Sequence, residues 1–144
     1  MPFYAKGAAG VSITDSGTDA GPYSNNDDTY TLVKTYTIDN SDNKLLDIWF
    51  TCKGLASSSA TNKGVQININ EVAFAQLTNW PAGATRVFWH ICDGSPGWAG
   101  SPPYLAYSSL AQFPVGNVTV KIYVKGSAGA TTISDLQLLY AKRP

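Results

Sequence analysis

The sequence predicts an all-β fold, an antiparallel β-sandwich or short barrel, on three observations. Apolar and polar residues alternate with a period of two over several short stretches, no stretch carries a convincing helical period, and clusters of Asn, Asp, Gly, Ser and Pro separate the stretches. Composition agrees. Hydrophobic residues make up 44% of the 144, but charged residues only 14%, against about 25% in an ordinary globular domain. Ser, Thr, Asn and Gly together supply 48 residues, so neutral strand-face and turn side chains keep the surface wet. A chain of this length holds one core. The predicted organisation is a loosely ordered N-terminal arm over residues 1–29 and a single sandwich domain of six to eight strands over residues 30–144.

The arm is rich in Gly, Ala, Ser, Asn and Asp, and its few large apolar groups do little to offset ordering entropy; one short strand fits at Gly10–Thr14. From Tyr30 to Ile38 a period-two strand puts Tyr30, Leu32, Tyr36 and Ile38 on one face, and Asp39–Asn43 then turns the chain. Leu45–Lys53 places Leu46, Ile48, Phe50 and Cys52 on one face and Asp47, Trp49, Thr51 and Lys53 on the other. After a loop from Gly54 to Gly64, Val65, Ile67 and Ile69 alternate with Gln66, Asn68 and Asn70. Glu71–Gln76 continues this ribbon or starts another strand. Arg86–Cys92 is β-prone on both faces, as a central strand covered on two sides would be. Asp93–Tyr104 reads as an irregular loop and Leu105–Phe113 is unassigned, the one stretch where a helical turn fits. Val118, Val120, Ile122 and Val124 form another inner strand face, and Thr131–Tyr140 brings Ile133, Leu136, Leu138 and Tyr140 to the core with a register change near Ser134–Asp135.

Ten basic and ten acidic side chains cancel, with a pI near 6.5, so no broad positive field exists to collect nucleic acid or an anionic membrane. No apolar run reaches the length of a membrane-spanning helix, and Met1–Lys6 lacks the apolar stretch of a signal peptide. Cys52 and Cys92 are accordingly read as small buried thiols rather than a bridge.

No catalytic set emerges. The single histidine, His90, shares a strand face with Arg86, Phe88 and Cys92, and residues two apart on one strand point the same way at about 6.5–7 Å rather than converging as a nucleophile–base pair. One His and two Cys leave a zinc tetrahedron short unless carboxylates help. Asp15, Asp19, Asp27, Asp28, Asp39 and Asp42 offer hard oxygen atoms for calcium, but without EF-hand spacing, and turns need such residues anyway. Phosphate-loop and dinucleotide fingerprints are absent, and Glu71 is the sole glutamate for any paired-carboxylate glycosidase. Asn117-Val118-Thr119 fits the glycosylation triplet and reads as a strand start. The expectation is a protein without enzymatic activity, cofactor or metal. Aromatic residues carry the functional signal instead: Trp49 on the wetter face of its strand, Trp80 beside Pro81, Trp98, Tyr104 and Tyr107 suit stacking platforms or interface anchors, or plugs for the open ends of a sandwich.

The stretches Tyr30–Ile38, Asp47–Gly54 and Asn62–Ile69, with Val118–Val124 and the closing Ile133-Ser134-Asp135-Leu136-Gln137-Leu138-Leu139-Tyr140, resemble small virion proteins of tailed bacteriophages of the head-decoration and fibre-tip type. The resemblance covers about half the chain, mostly strand grammar, and leaves Trp80–Tyr107 without a counterpart. It implies a jelly-roll-like β-sandwich acting as a viral structural protein, a capsid decoration (cement) protein or tail-fibre tip. Such a protein resides in the virion, docks on capsid or tail proteins and forms homo-oligomers, commonly trimers. The alternative is a lectin-like carbohydrate-binding module in which the surface Trp and Tyr residues hold a glycan.

Overall fold

Period-two alternation becomes eleven strands in the computed structural model, which describes residues 12–56, 64–77, 83–93, 98–99, 105–110, 113–127 and 129–144, with side chains for 12–54, 64–71, 113–127 and 129–144. In chain order they are β1 (Ser12–Asp19), β2 (Tyr23–Asn25), β3 (Thr31–Asn40), β4 (Leu45–Ala56), β5 (Gly64–Ile69), β6 (Val72–Leu77), β7 (Gly83–Asp93), β8 (Trp98–Ala99), β9 (Leu105–Leu110), β10 (Gly116–Lys125) and β11 (Thr131–Lys142). No helix occurs among the described residues.

The larger sheet runs β1-β11-β4-β7-β9-β8, with β2 also on β11, and the smaller runs β3-β10-β5-β6. Pairing is nested: β1 takes β11, β3 takes β10, β4 takes β7 and β5 takes β6. A chain folded back on itself in this way and wrapped into two layers is a jelly roll. Its eight strands match the upper end of the predicted count, and β2, β8 and β9 are short additions. The β5–β6 hairpin turns at Asn70 and Glu71, both at positive φ, the conformation of a two-residue hairpin turn that follows strand twist; Glu71–Gln76 therefore opens a new strand. One pair departs from the antiparallel rule. β9 runs parallel to β7, a pairing that a tight hairpin turn cannot join. Leu105–Leu110 is thus a strand rather than a helical turn, because the open ladder edge of β7 outweighs its weak local preference.

The two layers bury Ile48, Phe50 and Cys52 of β4 and Ile133, Leu136 and Leu138 of β11 against Ile38 of β3, Val65, Ile67 and Ile69 of β5 and the four valine and isoleucine residues of β10. Three bulges set which residues enter this core. The register shift at Ser134–Gln137, with Asp135 at φ 50°, is the one the sequence anticipates. The other two correct the face assignments. Register jumps from Lys34 to Leu32 opposite β10, so Val33 is the extra residue; it packs against the core while Leu32 is 44% exposed. Likewise Leu46 is extra opposite Ala141 and Lys142, and Leu45, 2% exposed, turns inward in its place. A one-residue slip exchanges the faces of every residue beyond it.

The leading segment also differs from expectation. Residues 12–25 are strands, β1 pairing from Ser12↔Lys142 to Asp19↔Leu136 and β2 from Tyr23↔Ile133 to Asn25↔Thr131. Nearly all of β1 is exposed, so hydrogen bonds rather than apolar burial hold it. The Ser16 hydroxyl donates to the Leu138 carbonyl at 2.7 Å and accepts from its N–H at 3.3 Å. The Asp19 carboxylate accepts from Lys34 Nζ at 2.8 Å and from the Tyr23 hydroxyl, and Lys34 lies on β3, so this contact ties the two sheets together. The Lys34 ammonium above all, helped by the Tyr23 hydroxyl, lowers the Asp19 carboxyl to about 2. Nearby, burial raises the Tyr36 phenol to about 12.

Register also settles the cysteines. Cys52 lies opposite Val87 and Cys92 opposite Asp47, five steps apart along the ladder or about 16 Å, against the roughly 7 Å limit for a disulfide. They do not bridge to one another.

Candidate functional site

With Ile48, Phe50 and Cys52 turned into the core, alternation leaves Trp49, Thr51 and Lys53 on the outer face of the larger sheet. The ladders extend each of these into a row across the strands. Through Trp49 the row reads Asp15, Leu139, Trp49, His90, Tyr107, Trp98, each residue directly opposite the next. Directly opposed residues belong to one face of a sheet, and six strands at about 4.8 Å spacing make the row about 24 Å long. Asp15 is exposed, and Leu139 and Trp49 are half-buried.

Three of the five aromatic residues singled out from the sequence therefore fall in one line: Trp49, Tyr107 and Trp98. Trp80 and Tyr104 lie outside the described residues. His90, which the sequence marks only as a structural histidine, takes the register position between Trp49 and Tyr107. No local pattern joins these positions; the nested pairing of β4 with β7 and the parallel addition of β9 do.

The neighbouring outer row is Thr18, Gln137, Thr51, Phe88, Leu105. Gln137 donates from Nε2 to Asp15 Oδ2 at 3.0 Å, which fixes its amide beside the Trp49 row with the amide oxygen left as an acceptor. The row beyond holds Ser134, Lys53 and Arg86. Like charges directly opposite each other disfavour the pairing. Lys53 is exposed and forms no ion pair among the described residues, whereas Lys34, Lys121, Lys125 and Lys142 face Asp19, Glu71, Asp28 and Asp42. Those pairs also account for four of the acidic groups offered by the sequence, and no group of three metal-ligating side chains occurs among the described residues.

On the other side of the Trp49 row lie Ile13, Ala141, Asp47 and Cys92. Here the outer face is closed: Ala141 is fully buried and Asp47 is only 6% exposed. An aromatic line flanked by an amide, hydroxyls and cations can stack on flat apolar ring faces while hydrogen-bonding the groups at their rims.

No family model matches the sequence, and no curated protein matches it. A comparison with solved structures finds similarity at low identity. The CBM36-1 domain of a multidomain xylanase from the hindgut metagenome of Trinervitermes trinervoides is 14% identical, with 90% of this chain and 95% of that domain covered and a TM-score of 0.46. The C-terminal domain of EclA, a sugar-binding protein, is 10% identical over 94% of this chain and 82% of that one, with a TM-score of 0.42. A chain from the structure of infectious bursal disease virus, Gx strain, is 11% identical and has a TM-score of 0.48; it covers 92% of this chain, which spans 36% of the viral one. At this distance the likeness assigns no function to this chain.

Proposed function

We propose that this chain is a non-enzymatic recognition module that holds a carbohydrate against the outer face of its larger sheet. The observation that carries the reading is the register row of Trp49, His90, Tyr107 and Trp98, bordered by Gln137, Asp15 and Thr51. Sugar rings present an apolar face and a hydroxylated rim, and an aromatic line edged with amide and carboxylate groups answers both. Titration of the intrinsic tryptophan fluorescence with a panel of oligosaccharides tests it. Binding should appear for at least one oligosaccharide and fall at least about tenfold in Trp49→Ala; a panel without response sinks the reading.

A second reading, a capsid-decoration or tail-fibre-tip protein that docks on other virion chains or on copies of itself, is favoured by the exposure of β1. Seven of its eight residues are exposed at the sheet edge, with Ile13 at 55%, and an open ladder edge is a template for a further strand. Light scattering of the full chain tests this reading. A defined oligomer that Ile13→Lys dissociates supports it, and a monomer at all concentrations counts against self-assembly.

A further inference from the structure

We propose that the carbohydrate held on the larger sheet is an acidic oligosaccharide, with a ring on the Trp49 row and a carboxylate or sulfate group at the register position where Lys53 and Arg86 meet. The inference rests on the sugar-binding reading above and names the class of sugar. Lys53 of β4 lies directly opposite Arg86 of β7, and directly opposed residues share a face. That face is the outer one, because Cys52 beside Lys53 is turned into the core.

Nothing in the described fold uses the Lys53 charge. Its side chain is exposed and forms no ion pair among the described residues, while Lys34, Lys121, Lys125 and Lys142 each reach a carboxylate. Ser134, the residue opposite Lys53 on β11, is neutral. Two cationic residues placed opposite each other disfavour the ladder that holds them, and a negatively charged ligand offsets that repulsion with charge-assisted hydrogen bonds.

The surroundings set the direction in which such a ligand lies. On one side of the Trp49 row the face is closed, with Asp47 6% exposed and Ala141 fully buried. On the other side the row through Gln137 and Thr51 is neutral and leads to Lys53. A sugar ring stacked at Trp49 therefore continues along β4 toward Lys53, about 13 Å away at the rise of a strand, a span that a few linked rings cover. Charge along β4 runs from Asp47 to Lys53 across neutral rows, and the positive end is the open one. A neutral sugar gains nothing from cations at that distance, whereas an acidic one gains both affinity and a fixed orientation.

Calorimetric titration of the full-length protein tests this with oligosaccharides paired so that each pair differs in charge alone: oligogalacturonate against its methyl ester, and a sulfated galactan oligosaccharide against its desulfated form. At least one acidic member should bind at least about tenfold tighter than its neutral partner, and the pair that responds tells carboxylate from sulfate. Raising the salt from about 0.05 M to about 0.5 M should remove most of that advantage, a readout that needs no variant. Lys53→Ala should narrow the gap within the pair at least about fivefold, whereas Trp49→Ala should weaken both members alike. Neutral members that bind as tightly as acidic ones overturn this inference and leave the sugar-binding reading standing; silence from both classes sinks the two together. Polyglutamate binding as tightly as the acidic sugar also overturns it, because charge alone would then be recognised.

Discussion

The outer faces of the two sheets are built from similar polar residues and behave differently. On the smaller sheet the polar groups answer one another: Lys121 pairs with Glu71, Gln66 donates to Asn68 Oδ1 at 2.8 Å, and Asn70 Oδ1 accepts from the Thr119 N–H at 2.7 Å and its hydroxyl at 3.2 Å. The larger sheet instead carries an aromatic line, a cross-strand pair of cations and a carboxylate closed off from water. A face whose groups are internally satisfied has little left with which to recognise anything. One holding like charges opposite each other and flat apolar surface has recognition capacity that stability does not require.

Removal of residues 1–25 should be the most damaging change. It strips β1 and β2 from β11, exposes a ladder and deletes Asp19, so the truncated chain should melt far below the full one and aggregate. A truncation that keeps its melting temperature would restore the picture of a loosely ordered arm. Next, Phe50→Ala on the inner face should cost about 3–5 kcal/mol in urea unfolding, while Trp49→Ala one residue away should cost about 1–2 kcal/mol, because a half-buried side chain loses less area. Equal costs would mean that the Trp49 face is core and not a surface.

A smaller effect should appear in acid. The folded Asp19 carboxyl sits at about 2 against an ordinary 3.8, so its contribution is fully present above the ordinary value and is lost as pH falls through the lowered one. The wild-type urea midpoint should therefore fall more steeply between about pH 4 and pH 2 than that of Asp19→Asn; parallel curves would detach the Lys34 contact from stability. Smallest of all, Glu71→Gln should leave the melting temperature within the scatter of surface substitutions, since exposed ion pairs contribute little. A large drop would show that the smaller sheet depends on its paired surface.

Legibility in the sequence followed the range of the interaction responsible. The Ser134–Asp135 shift was readable because Asp tolerates the left-handed backbone a bulge uses. The bulges at Val33 and Leu46 leave no local mark: both interrupt clean alternation, and only the partner strand reveals which residue is extra. Residues 12–25 looked loose because they lack apolar groups, yet Ser16, Asn25 and Asp19 hold them by hydrogen bonds to residues 122, 99 and, for Asp19, four and fifteen positions away. Of the candidate site, Trp49, Trp98 and Tyr107 were recognisable one at a time as aromatics outside a repeating core pattern, while their common row was not, nor the proximity of Asp47 to Cys92.

By itself the sequence determined the layered all-β architecture and most of the choices between inside and outside, because side-chain alternation is a property of each strand alone. Only the tertiary structure decided which strands are neighbours and at what register. Loop closure and the fit of two sheets against one another set that pairing, and it places residues 15, 139, 49, 90, 107 and 98 in a single line across the molecule.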